Sequence, residues 1–207
     1  MLQRETVAPQ LLDILDVLMK SKELGDLRLV GGTALALQLG HRMSDVIDLF
    51  GNHPYSSDEM DAIMSNLIKP DNQKGGAIIK AYYIHNVKVD VVKYQYPWLD
   101  TEIVVDGIRM ASIKDIAAMK IGAITNRGSK KDFVDLYVLL DQFSFDDIMS
   151  FYQKKMLDAN IWLALHSVVY FDDAEDEPMP KLFIDVTWNQ IKEKVIDVTL
   201  KYRNVSL

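Results

Sequence analysis

The residues best placed by type and spacing to do chemistry begin with Gly31, Gly32 and Thr33. They follow the short apolar run LRLV and open the helical stretch TALALQLG. A strand running into two glycines and a hydroxyl residue at a helix start is the outline of a phosphate cradle. Glycine lets backbone amides approach an anion with no side chain in the way, and a helix N-terminus attracts negative charge. A plain strand-to-helix turn would use the same glycines. Asp48 stands between Ile47 and Leu49 in the apolar segment VIDLF, and Asp90 interrupts VKVDVV. A carboxylate inside an apolar strand needs a buried partner, and a metal ion is a natural one. Asp90 has a second reading: alternation places it on one face with Lys88 and Val92, where acid and lysine would share a solvent-facing side.

Other chemistries find less support. The four histidines, His41, His53, His85 and His166, are scattered without metal-ligand spacing or a Ser-His-Asp order. The absence of cysteine removes disulfides, zinc thiolates and thiol nucleophiles. His41 reads as a structural hydrogen-bonding residue, Arg42 as a phosphate ligand or a brace for Asp45, and Ser44 as a local backbone cap. Lys120 lies in IKDIAAMKIGAI on the border of an apolar stripe, where a lysine usually runs its stem along the core and its charge outward. Arg127, Lys130 and Lys131 surround Gly128 and Ser129, a basic cluster that a charged helix junction explains equally well, with Lys131 and Asp135 as an i,i+4 pair. Asp132 and Asp135, one turn apart, are placed to hold Lys120 or Arg127. Trp98, Trp162 and Trp188 are separated in sequence, and packing in the core is the expected use of all three.

The elements that must position these residues follow from periodicity. Apolar residues at 11, 12, 14, 15, 18 and 19 predict an N-terminal helix, and residues 27–30 and 46–50 predict strands. A helix is expected over 33–40, ended by Gly40, and another over 57–68, opened by Ser57 and Asp58. GAIIKAYYI and VKVDVVKY flank His85–Asn86 as a hairpin, and Asp106–Gly107 turns a second strand pair over 102–110. Helical periods then run over 112–126, 129–142, 145–157 and 188–202, while the acidic run 172–177 reads as a solvated loop. The fold class predicted is α+β, a mixed sheet flanked by helices over 1–110 and a helical region over 111–207 that packs on it.

Composition fits a packed protein: 207 residues, 49% hydrophobic and 26% charged. Thirty acids against 23 bases give a net charge of −7, which argues against a general nucleic-acid coat yet leaves room for a local basic site for phosphate. MLQRETVAPQ lacks the apolar stretch of a signal peptide, and the run 161–171 is too short to span a bilayer, so a cytoplasmic location is expected.

The stretch LVGGTALALQLGHRMSDVIDLF resembles the nucleotidyltransferase superfamily related to DNA polymerase β. The closer resemblance, carried by GGTALAL, GHR, residues 44–50 and IKDIAAMKIGAITNRGSKKDFVDLYVL, is to the AbiEii/AbiGii toxin-like nucleotidyltransferases. It implies transfer of a nucleoside monophosphate from an NTP to an acceptor, a tRNA or a protein, with Mg²⁺ on Asp48 and Asp90. It also implies phosphate contacts from Gly31, Gly32, Thr33, Lys120, Arg127 and Lys130, and an antitoxin partner. The family pattern reads Arg-x-Ser-x-Asp-(apolar)-Asp-Leu-Phe, whereas here Val46 fills the place of the first acid and Asp45 stands one residue early. Either a bulge turns Asp45 into the site, or Asp48 and Asp90 act alone. In the second case transfer should slow by roughly 10²–10⁴-fold, or the chain should be a non-catalytic nucleotide- or protein-binding module.

Overall fold

The computed structural model describes residues 1–206, with side chains as far as Arg203. The chain divides into two compact units, residues 1–96 with 101–111, and residues 97–100 with 112 onward. The first is a sheet with helices and the second is helical, an α+β architecture as the periodicity predicts.

In the first unit seven strands form one mixed sheet in the order β3-β4-β5-β2-β1-β7-β6. These are β1 (Arg28–Leu29), β2 (Val46–Gly51), β3 (Asn72–Gly75), β4 (Ile79–Ile84), β5 (Val87–Lys93), β6 (Ile103–Val105) and β7 (Ile108–Met110). β2 is central. It pairs antiparallel with β1 and parallel with β5, so its polar side chains face one side of a sheet flanked by neighbours on both edges. The two hairpins close as the turn residues require: His85 and Asn86, then Asp106 and Gly107, all hold positive φ, the pairing that matches the twist of adjacent strands. β3 has no apolar residue and gives no alternation signal; it is an exposed edge strand added to β4.

Three helices accompany the sheet. α1 (Pro9–Lys20) starts with proline at its first turn and buries Leu11, Ile14, Leu15, Leu18 and Met19. α2 (Gly31–Leu39) begins two residues earlier than its apolar pattern, at the glycines themselves, and ends at Gly40 in the left-handed region. α3 (Ser57–Leu67) is opened by Ser56 rather than Ser57, through a capping box with Glu59.

The second unit holds α4 (Ile113–Asn126), α5 (Lys130–Leu139), α6 (Phe145–Lys155), α7 (Ile161–Ser167), α8 (Asp172–Glu175) and α9 (Trp188–Ser206). α4 packs against α5, α6 and α7, and α9 packs against α5 and α6. Residues 172–175, expected as loop, form the one-turn α8. Segment 97–100 is tied into this unit by Asp115, which accepts from the backbone N–H groups of Leu99 and Asp100, while Lys155 donates to the Pro97 carbonyl. Of the tryptophans expected in the core, Trp162 is 57% exposed on α7.

Candidate active site

Asp48 and Asp90 are direct partners in the parallel β2–β5 register. Adjacent residues of paired strands point to the same face, so the two carboxylates lie side by side. Period two along β2 puts Val46 and Phe50 on this face, and β5 adds Lys88 and Val92. The Lys88 ammonium donates to Asp90 Oδ2 at 2.5 Å, with the lysine side chain 39% exposed. The other oxygen, Asp90 Oδ1, is buried and has no hydrogen-bond partner among the described residues. Further along the face, Lys74 of β3 lies over the Tyr83 ring, 5.2 Å from its centroid. Its pKa is raised by hydrogen bonding to Tyr83, with the Asp90 charge adding to the effect.

The glycine turn closes on this face. Gly31 has φ +68°, and a Cβ there would stand 2.5 Å from Asp48 Oδ2. A Cβ on Gly32 would stand 2.1 Å from Arg42 Nη2. Gly31 is therefore favoured by its left-handed φ, with the Asp48 carboxylate close against it, whereas a Cβ at Gly32 would have to displace the end of the Arg42 side chain. Arg42 is buried and donates to the Met43 carbonyl at 2.9 Å. Thr33, expected to offer its hydroxyl to a phosphate, is 1% exposed; its Oγ1 bonds the Val46 carbonyl and lies 2.8 Å from Ser44 Oγ. It fixes the entry of β2 instead.

The structure settles the register around Val46. The β2–β5 pairing runs without interruption from Val46 opposite Lys88 to Gly51 opposite Lys93. No bulge intervenes, so Val46 occupies the face of Asp48, and Asp45 is an exposed residue ahead of the strand. Asp45 lies outside the paired strand, exposed, and does not join Asp48 and Asp90 in a group of three acids among the described residues.

Lys120, Arg127 and Lys130 belong to the second unit, where each is engaged internally. The Lys120 ammonium lies 2.9 Å from Asp132 Oδ1 and 2.5 Å from Asp135 Oδ2, and both aspartates are fully buried. Burial alone would raise the Asp132 pKa, but Lys120, Arg127 and the Ser129 hydroxyl overcome it and hold the carboxyl well below its usual range. Arg127 donates from Nε to Asp132 Oδ2 at 2.9 Å while its side chain stays 61% exposed. Lys130 is not an exposed phosphate ligand: its ammonium donates to the Glu175 and Glu177 carbonyls and sits over the Trp188 ring. The lysine in the apolar stripe does not reach outward either, since the two aspartates meet it inside the helical core.

Residues 13–203 match the family model described as nucleotidyl transferase AbiEii toxin, type IV TA system. The chain belongs to the AbiEii nucleotidyltransferase toxin family. An uncharacterized protein of Aquifex aeolicus (strain VF5) is 32% identical over 174 residues, spanning 81% of this chain and 84% of the relative. Among solved structures, the nucleotidyltransferase toxin MenT4 of Mycobacterium tuberculosis H37Rv is similar with TM-score 0.57 at 15% identity, covering 90% of this chain and 80% of that one. JHP933 of Helicobacter pylori is similar with TM-score 0.52 at 17% identity, covering 97% and 96%. At these identities the structural likeness establishes a nucleotidyltransferase fold.

Family membership makes the donor set on the β2–β5 face the point to test. Among the described residues no three His, Cys, Asp or Glu side chains group to hold a metal ion. Two in-register carboxylates, one with an unpartnered buried oxygen, fit a single Mg²⁺, which commonly takes one or two carboxylates and completes its shell with substrate phosphates and water. They do not make a three-carboxylate cage, since Val46 contributes no donor. Sequence reasoning undervalued Lys88, although its alternation with Asp90 was legible, and missed Lys74, whose strand has no apolar residue to announce it.

Proposed function

We propose that this AbiEii-family chain binds a nucleoside triphosphate with Mg²⁺ on the Asp48–Asp90 face and transfers the nucleoside monophosphate slowly to an acceptor, with tRNA as the first candidate. The observation that carries this reading is the direct register of Asp48 and Asp90 beside the Gly31–Gly32 turn. Asp48 and Asp90 Oδ1 would hold the ion, and when bound it would neutralise triphosphate charge and lower the barrier to displacement of pyrophosphate. The turn keeps the backbone close to the carboxylates with no Cβ between, so phosphate and acid can approach one ion together. Lys74 and Lys88 bring two ammonium groups to this face beside Asp90 in a chain of net charge −7, which suits an anionic substrate. Val46 is the reason for slow transfer: one carboxylate fewer costs part of the charge stabilisation on which phosphoryl chemistry depends. An antitoxin partner follows from the family. Among the described residues no helix is long and apolar enough to cross a membrane.

The test is calorimetric titration of the four NTPs in Mg²⁺ buffer, alongside transfer of α-labelled NTP to tRNA. Wild type should bind at least one NTP, and Asp48→Asn and Gly32→Val should each weaken that binding by about 10-fold or more. Equal affinities for all three proteins would remove this face as the nucleotide site.

A further inference from the structure

We infer that Lys88 is a built-in cation of the nucleotide site, its ammonium replacing one metal charge beside Asp90 so that triphosphate binding depends only weakly on Mg²⁺. The inference rests on the nucleotide reading of this face and assigns a charge that neither family membership nor the carboxylates supply.

Three observations carry it. Lys88 is the register partner of Val46, so the position that lost its acid lies opposite the position that presents a positive charge. Its ammonium already sits 2.5 Å from Asp90 Oδ2, where a shared metal ion would otherwise draw an oxygen. Its side chain is 39% exposed, so the charge is not buried away from an incoming anion. An ion drawing on the same oxygen would meet a like charge at close range, and Mg²⁺ also gives up its water reluctantly. The Lys88–Asp90 pair therefore lowers the affinity of this face for a free divalent ion. The same pair holds the ammonium beside Asp90 and partly exposed, where it can donate to a phosphate oxygen. Lys74, over Tyr83 two positions along the face, extends the positive strip toward the β3 edge. A site built this way trades a metal-bridging acid for a fixed ammonium. It retains anion binding and gives up the strong polarisation that a second divalent ion provides.

The experiment compares wild type, Lys88→Met and Lys88→Arg by calorimetric titration with ATP, GTP, CTP and UTP, in Mg²⁺ and in EDTA. Wild type should lose less than about 10-fold in affinity on moving from Mg²⁺ to EDTA. Lys88→Met should lose about 10–100-fold relative to wild type in EDTA, the worth of one charge-assisted contact, and much less in Mg²⁺. Lys88→Arg should restore binding in EDTA, since it keeps the charge. A nucleotide-free titration with Mn²⁺ gives an independent readout: Lys88→Met should bind the ion about 10-fold more tightly than wild type, because Asp90 Oδ2 is released. Nucleotide binding that vanishes in EDTA for wild type, or Lys88→Met indistinguishable from wild type in EDTA and toward Mn²⁺, overturns the role of Lys88 and leaves the nucleotide site standing. Failure of wild type to bind any NTP in either buffer overturns the nucleotide reading and this inference together.

Discussion

At the scale of single residues, positions 45 and 46 separate the two ends of one question. Asp45 is exposed and precedes a strand that runs in unbroken register from Val46, so its carboxylate adds nothing to the Asp48–Asp90 pair. Asp45→Ala should leave NTP affinity and any transfer rate within about 2-fold of wild type, as exposed substitutions away from special features usually do. The double change Asp45→Val with Val46→Asp places an acid two residues before Asp48 on the same face. It also places that acid opposite Lys88, where it can take the ammonium and release Asp90 for the ion. Mg²⁺-dependent transfer of label from an α-labelled NTP to tRNA should rise by about 10²-fold or more if one carboxylate carries a few kcal/mol. A double variant no faster than wild type would show that something other than the missing acid limits transfer. The sequence alone revealed the departure at Val46 and left two geometries open. The continuous pairing of β2 with β5 fixes Val46 on the face of Asp48, and pairing between residues 42 apart is not encoded in either segment by itself.

At the scale of elements, the strongest local signals were those with a steric or capping cause. Positive φ at His85, Asn86 and Asp106 fixes the hairpins, and Gly40 ends α2, because few other residue types tolerate those conformations. The weakest were elements held by tertiary contact, namely β3, which has no apolar residue, and α7 and α8, whose seven and four residues are too few to repeat an apolar stripe. Lys155 shows the same limit. In sequence it is the second lysine at a helix end, where a solvent-exposed charge is the norm, yet it is fully buried. Its ammonium lies 2.7 Å from Asp115 Oδ1, donates to the Pro97 carbonyl and stands 4.4 Å from the Trp98 ring centroid. Asp115 in turn accepts from Ser112 Oγ and from two backbone amides, so α4, α6 and segment 97–100 meet at one ion pair. Removing one member leaves a buried charge without its partner. Lys155→Met should destabilise the second unit by about 3–5 kcal/mol, the cost typical of breaking such a pair from one side. Chemical denaturation followed by circular dichroism would measure it, and a loss below about 1 kcal/mol would mean that the pair is not structurally required.

At the scale of the whole molecule, the two units place their charges differently. Asp115, Lys120, Lys130, Asp132, Asp135 and Lys155 are all buried in the helical unit; in the sheet unit Arg42 and Lys80 are buried, while the Asp48, Lys88 and Asp90 side chains remain partly accessible on one face. That contrast has a pH signature. Asp132 is ionised in the folded chain against the opposing effect of burial, because Lys120, Arg127 and Ser129 stabilise its charged form. Its folded pKa is below the unfolded carboxylate value of about 3.9, so the unfolded chain binds the proton first as the solution is acidified. The stability that Asp132 contributes is therefore complete at neutral pH, begins to fall as pH approaches about 4, and is lost as pH drops toward the folded pKa. Asp132→Asn removes this proton-linked part. Its stability deficit relative to wild type should be largest near pH 7 and shrink steadily between about pH 5 and pH 2 in urea titrations followed by helical signal. Lys120→Met should act in the same window with opposite emphasis: with one of its two cations gone, the Asp132 pKa rises and acid unfolding begins at higher pH than in wild type. Parallel stability curves for wild type and Asp132→Asn across that range would mean the cluster binds no fewer protons folded than unfolded. The Lys120–Asp132 pair would then be packing rather than a store of electrostatic stability.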